Sequence, residues 1–131
     1  MEPKTVVQQY WASFEKGDLD TTWETYVDLD LVIHPASGFE FTRDSWLATE
    51  KSFVDSFTDL RVEVLDQVAE GDKVATRFRM TATQTAEFFG VPSSGRTATL
   101  TGTTVDRVRD DRIVEHWAEV GVPGFLQQLA A

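Results

Sequence analysis

A chain of 131 residues has room for one domain, residues 1–131, because a second would lack a core of its own. Its 41% hydrophobic and 26% charged content is that of a globular protein able to bury a core, which excludes intrinsic disorder as the main state. Acidic residues outnumber basic ones 22 to 12, so phosphate backbones and anionic lipid heads are repelled, and the lack of Cys excludes disulfides, thiolate nucleophiles and Cys-ligated metals.

Nucleic acid is therefore not expected as a partner. The opening MEPKTVVQQYW has no apolar run behind a basic stretch, and no segment approaches the ~18 apolar residues of a membrane span. The expectation is no membrane partner and a cytoplasmic protein.

From Pro3 to Lys16, Val6, Val7, Tyr10, Trp11 and Phe14 recur at steps of three and four, the period of a buried helix face. Gly17-Asp18 ends this helix, and Leu19 to Val27 repeats the pattern with Leu19, Trp23, Tyr26 and Val27. Leu31 to His34 is a short β-prone run stopped by Pro35, with Phe39 to Phe41 as its continuation after an Ala36-Ser37-Gly38 turn. Thr42 offers a cap for a third helix that runs to about Phe57 with Trp46, Phe53, Val54 and Phe57 near one face.

After Asp59 the period changes to two. Long strands are predicted at Leu60 to Ala69, Lys73 to Ala86, Arg96 to Arg109 and Arg112 to Val120, antiparallel to their chain neighbours, followed by a closing helix over Pro123 to Leu129. Helices first and a sheet afterwards is an α+β arrangement, with the helices covering one face of a curved antiparallel sheet. Arg77 and Arg79 must reach water, so Phe78, Met80, Ala82 and Gln84 face inward. On the last strand Glu115 and Glu119 prefer the outside and take Trp117 with them, which leaves His116, Ala118 and Val120 facing in.

The residues also carry a family likeness. Tyr10, Gly17-Asp18-Leu19, Tyr26 and His34-Pro35 resemble the first half of the NTF2-like superfamily, which includes the ketosteroid isomerases. Phe57-Thr58-Asp59-Leu60, Glu70-Gly71-Asp72-Lys73-Val74, Phe89-Gly90-Val91-Pro92-Ser93-Ser94-Gly95-Arg96, Ile113-Val114-Glu115-His116-Trp117 and Leu126-Gln127-Gln128-Leu129 resemble the SnoaL-like polyketide cyclases. The resemblance implies a cone, a curved sheet wrapped around the N-terminal helices with a cavity between them, and a homodimer packed through the outer sheet face.

By an ungapped count from Gly17-Asp18, His34 takes the place of the isomerases' proton-abstracting carboxylate and Tyr10 that of their oxyanion-binding tyrosine. An imidazole can take and return a proton at neutral pH, and a phenol can stabilise an enolate. The plainer alternatives are a strand-capping His34 and a core-filling Tyr10. His116 is a second candidate, as general acid or orienting donor, if it points inward. Tyr26, Trp46, Phe57, Phe78, Met80, Gln84, Thr104 and Ala118 are the expected substrate-binding wall. The acids that the cyclases carry on the last strand are Ala118 and Gly121 here, the loop-edge His of relatives is Gln84, and Thr104 replaces the polar residue of the third long strand. Asp106 is expected to pair with a neighbouring Arg.

The two His residues are far apart in sequence and share no helix, so no metal site is expected, and no cofactor motif is present. The leading reading is a cofactor-independent enzyme that binds a hydrophobic, polyketide-like small molecule and promotes its cyclisation, with the missing carboxylates favouring a pericyclic or oxa-type closure over an aldol. An isomerase or epoxide-opening enzyme and a non-catalytic small-molecule-binding dimer are the alternatives.

Overall fold

The structure, a computed structural model, describes residues 1–35 and 38–131, so the expected turn at Ala36 and Ser37 lies outside the described residues. Helix α1 (Pro3–Glu15) starts with proline in its first turn, where no backbone donor is needed, and buries Val6, Val7, Tyr10, Trp11 and Phe14 along one stripe. Gly17, at φ +86°, reverses the chain in a conformation that costs a side-chain-bearing residue strain. Helix α2 (Leu19–Tyr26) follows, its first turn capped by the Asp18 carboxylate accepting from the Thr21 N–H at 3.3 Å.

Strand β1 (Val27–Pro35) leaves α2 directly and is longer than the sequence pattern indicates. The expected continuation over Phe39 to Phe41 is not a strand. Helix α3 (Arg43–Asp55) opens on a capping box between Thr42 and Ser45. Strands β2 (Phe57–Glu70), β3 (Lys73–Gln84), β4 (Thr97–Arg109) and β5 (Arg112–Val120) then run to helix α4 (Val122–Ala130).

The sheet order is β1-β5-β4-β3-β2. The four long strands are antiparallel to one another, as expected, but β1 joins β5 in parallel, so the five-stranded sheet is mixed. A crossover through α3 and three strands separates β1 from β5, room enough for a parallel pairing.

Bulges curve this sheet. On β2, Thr58 to Arg61 takes three steps against two on β3, and Val64 to Asp66 two against one. On β5, Ile113 and Glu115 oppose adjacent residues of β4, leaving Val114 unpaired. Each extra residue bends its strand and raises the local twist. The concave face holds the helices: the Trp11 and Phe78 rings pack with centroids 4.8 Å apart. Gly102 allows this close packing, since a Cβ there would lie 2.7 Å from the Glu119 carbonyl oxygen and 2.9 Å from the Phe78 ring. Phe53, Phe57, Phe88 and Phe125 form an aromatic cluster that ties α3, β2, the β3–β4 loop and α4 together.

Candidate active site

On β4 the inward positions continue from Leu100 through Gly102 to Thr104 and Asp106, and β5 sets His116 directly opposite Asp106. The bulge at Val114 brings both Ile113 and His116 to the inner face. The result is a buried imidazole–carboxylate pair, His116 Nδ1 donating to Asp106 Oδ1 at 2.5 Å. Asp106 is 1% and His116 7% exposed. That bond fixes the tautomer of a neutral ring and leaves Nε2 as the nitrogen able to accept a proton.

A second polar group lies beside it. Glu50 of α3 reaches inward, its Oε1 accepting from the Tyr10 hydroxyl at 3.0 Å and from the Trp23 indole N–H at 2.9 Å. The Trp46 indole N–H faces the same carboxylate and favours its charged form, yet makes no hydrogen bond of full geometry. Burial raises the Glu50 pKa above its usual 4.5, opposed by the hydrogen bonds from Trp23 and Tyr10 and by the charge of His116. Burial lowers the basicity of His116, but the charge and hydrogen bond of Asp106 and the charge of Glu50 outweigh it and leave the imidazole above its usual 6.5. Tyr10 is pushed well above the ordinary phenol value, chiefly by burial and then by Glu50. The phenol stays protonated.

Tyr10, Trp23, Val27, Leu31, Trp46, Asp106, Ile113 and His116 enclose a cavity of about 10 Å³. This corrects the expected roomy chamber: the large rings of Trp23, Trp46 and Tyr10 fill it, and a cavity of this size holds a single water-sized group. Trp46 is the lining residue with partial exposure, the other seven being buried, so it stands at the mouth.

Tyr10, Trp46 and His116 thus share one cavity, as expected. His34 does not join them, and its inward placement is corrected. It pairs with Trp117, an outer-face residue, in the parallel ladder. Its ring stacks on Trp117 at 5.0 Å, its Nε2 meets Glu115 Oε2 at 2.7 Å, and its side chain is 43% exposed. Gln84 is corrected as well: its amide donates to the Ala86 and Val91 carbonyls and accepts from the Ser94 N–H and hydroxyl, which spends it on the β3–β4 loop. Phe57 belongs to the aromatic cluster and Phe78 packs on Trp11. Tyr26, Met80, Thr104 and Ala118 are packed around the core without lining the cavity.

Two carboxylates escaped the sequence reading. Asp106 takes His116 rather than an arginine, because strand parity turns it inward while Arg107 points out to Asp72 and Glu115. Glu50 carries a signal in its spacing, four residues after Trp46 and three before Phe53, which places it on the apolar side of α3. Among the described residues no group of three or more His, Cys, Asp or Glu is placed to hold a metal ion, and no helix is long and apolar enough to cross a membrane.

A family model described as SnoaL-like polyketide cyclase matches residues 4–129. Among solved structures, IdmH of Streptomyces antibioticus, described as "a putative polyketide cyclase", is 34% identical, with 100% of each chain covered and a TM-score of 0.86. AclR of Streptomyces galilaeus, described as "a putative hydroxylase", is 27% identical over 97% of this chain and 94% of that one, with a TM-score of 0.88. A protein of Acidithiobacillus ferrooxidans described as "a putative polyketide cyclase" shares the fold at 24% identity, 98% and 96% coverage and a TM-score of 0.83. A comparison with curated proteins finds no match.

Proposed function

The chain belongs to the SnoaL-like polyketide cyclase family, and from that premise we propose that it closes a ring on a hydrophobic, carbonyl-bearing substrate by acid–base catalysis without a cofactor, His116 moving the proton. The observation that carries this reading is the buried His116–Asp106 pair on the wall of an otherwise largely apolar cavity.

His116 Nε2 takes a proton from a carbon next to a carbonyl, and Asp106 steadies the imidazolium that forms. Tyr10 stands at the same wall. Burial keeps the phenol protonated, and Glu50, which accepts its hydrogen bond, holds it at the wall from which it donates to the enolate oxygen. The enolate carbon then attacks a second carbonyl of the same chain, and the imidazolium returns its proton to the new alkoxide. The buried Asp106 and half-buried Glu50 therefore favour proton-transfer closure over the pericyclic or oxa-type route. Trp46, at the mouth, swings aside to admit a chain larger than the closed cavity.

The test is incubation with linear aryl β-polyketones in deuterated buffer, reading ring-closed product and deuterium next to the carbonyl by mass spectrometry. The wild-type protein and His34→Ala are expected to turn over alike, and His116→Gln to be slower by roughly 10²–10⁴-fold. Equal rates for His116→Gln and wild type overturn the role of His116. Saturable binding with neither exchange nor product overturns catalysis and leaves a binding protein. The uncovered outer sheet face, where Val32 and Val68 are 51% and 68% exposed, supports the homodimer reading, and light scattering is expected to give twice the chain mass.

A further inference from the structure

Two buried polar atoms of residues that line the cavity make no hydrogen bond of full geometry among the described residues: Asp106 Oδ2, an acceptor, and the Trp46 indole N–H, a donor that faces the Glu50 carboxylate without closing a bond to it. Asp106 is 1% exposed, and His116 uses only its Oδ1. Unmade hydrogen bonds at buried groups are costly, so two of opposite kind on the wall of one cavity point to a group that completes both. The cavity, about 10 Å³, holds one such group, and the walls around it are the apolar Val27, Leu31 and Ile113.

We propose that this cavity is the subsite for a single hydroxyl of the substrate, enolic or phenolic, which donates to Asp106 Oδ2 and accepts from the Trp46 N–H. The proposal rests on the acid–base reading above in placing the substrate at this wall, and it adds the substrate class: a hydrophobic compound that enters hydroxyl first past Trp46. A carboxylate or phosphate head is disfavoured, because an ionised head has no proton to donate to Asp106 Oδ2. An aliphatic or ether end is disfavoured because it leaves Asp106 Oδ2 without a donor. His116 sits on the other oxygen of the same carboxylate, so a hydroxyl bound at Oδ2 sets the distance between the substrate and the proton acceptor.

The experiment measures binding of 2-naphthol, 2-methoxynaphthalene and naphthalene to the full chain by calorimetry, with the Trp46 indole N–H followed by nitrogen-edited NMR. Binding of 2-naphthol is expected to be tighter than that of the other two by about 10-fold, the worth of one to two net hydrogen bonds. The Trp46 N–H resonance is expected to move downfield with 2-naphthol alone. Trp46→Phe is expected to erase the preference, with circular dichroism confirming that it folds. Equal affinity for the three probes, no binding of 2-naphthol, or an unmoved Trp46 resonance in the wild-type protein overturns the proposal; equal affinity means that the cavity keeps a water instead. Probe binding requires no turnover. A protein that prefers 2-naphthol but exchanges no deuterium loses the proposed reaction and keeps the subsite, and the reverse result does the opposite.

Discussion

The molecule holds two imidazole–carboxylate pairs on opposite faces of one sheet. His116 and Asp106 meet at 2.5 Å with side chains 9% and 1% exposed; His34 and Glu115 meet at 2.7 Å with side chains 43% and 25% exposed. The bond lengths hardly differ. The surroundings do: the inner pair has Glu50, Tyr10 and the indole of Trp46 for neighbours, whereas the outer carboxylate also receives Arg107 and lies within reach of water and salt. Inside, the proton affinity of His116 is set by burial and by Asp106 and Glu50; outside, Arg107 competes with His34 for the Glu115 carboxylate. Two residue types thus become a candidate catalytic device or a surface ornament according to the face on which strand parity leaves them.

Exchanging each imidazole is the sharpest way to break this comparison. His116→Gln is expected to lower kcat/KM by roughly 10²–10⁴-fold, and His34→Ala by less than about 2-fold. Comparable losses for the two would erase the distinction between the faces. The same contrast holds for packing. Phe78→Ala, which empties a site beneath Trp11, is expected to cost about 3–5 kcal/mol in urea unfolding, while Val68→Ala on the outer face stays within about 0.5 kcal/mol.

Strand parity was legible where charges announced it. Arg77 and Arg79 turn outward, and Phe78, Met80, Ala82 and Gln84 are buried on the other face, as alternation requires. His116 followed from Glu115 and Glu119 in the same way. Asp106 was hidden by the habit of assigning charged residues to water, although Thr104 and Val108 share its parity. His34 misled for a different reason: an ungapped count carries a position along the chain but not a face. In β1 the five steps from Val27 to Val32 span only two on β5, so the irregular stretch between them uncouples position from parity. The parallel docking of β1 beside β5 is a long-range choice that no local pattern encodes.

Acidity offers a way to see the inner pair alone. Because Asp106 and Glu50 outweigh burial and raise the His116 pKa above 6.5, the folded state holds that proton more tightly than the unfolded chain. Its stabilising contribution is therefore full below about pH 6.5 and is lost as pH rises through the folded-state value. Thermal melts across this window are expected to show that decline in the wild-type protein and not in His116→Gln. Glu50, also raised, makes stability fall with pH above its unfolded value near 4.5. Glu50→Gln, which still accepts from Tyr10 and Trp23 through its amide oxygen, is expected to melt higher than wild type at neutral pH. With neutral His116 as the base, kcat/KM rises with pH through the same ionisation above 6.5.

The smallest effect belongs to the outer chain of charges. Arg107 bridges Glu115 at 3.0 Å and Asp72 at 3.0 Å; it holds Asp72 below its usual range, and Glu115 is held below its own by the hydrogen bond from His34 and then by Arg107. Water reaches this surface, so the ion pairs gain little over hydration and weaken further as salt is added. Arg107→Ala is expected to lower the melting temperature only slightly at low salt, less still in 1 M NaCl, and to leave the His116 proton resonances and their pH dependence unmoved. A larger loss, or a displaced His116 titration, would mean that the two faces communicate through β4, where Arg107 and Asp106 are adjacent, and that the sheet does not insulate the inner proton equilibrium from the outer one.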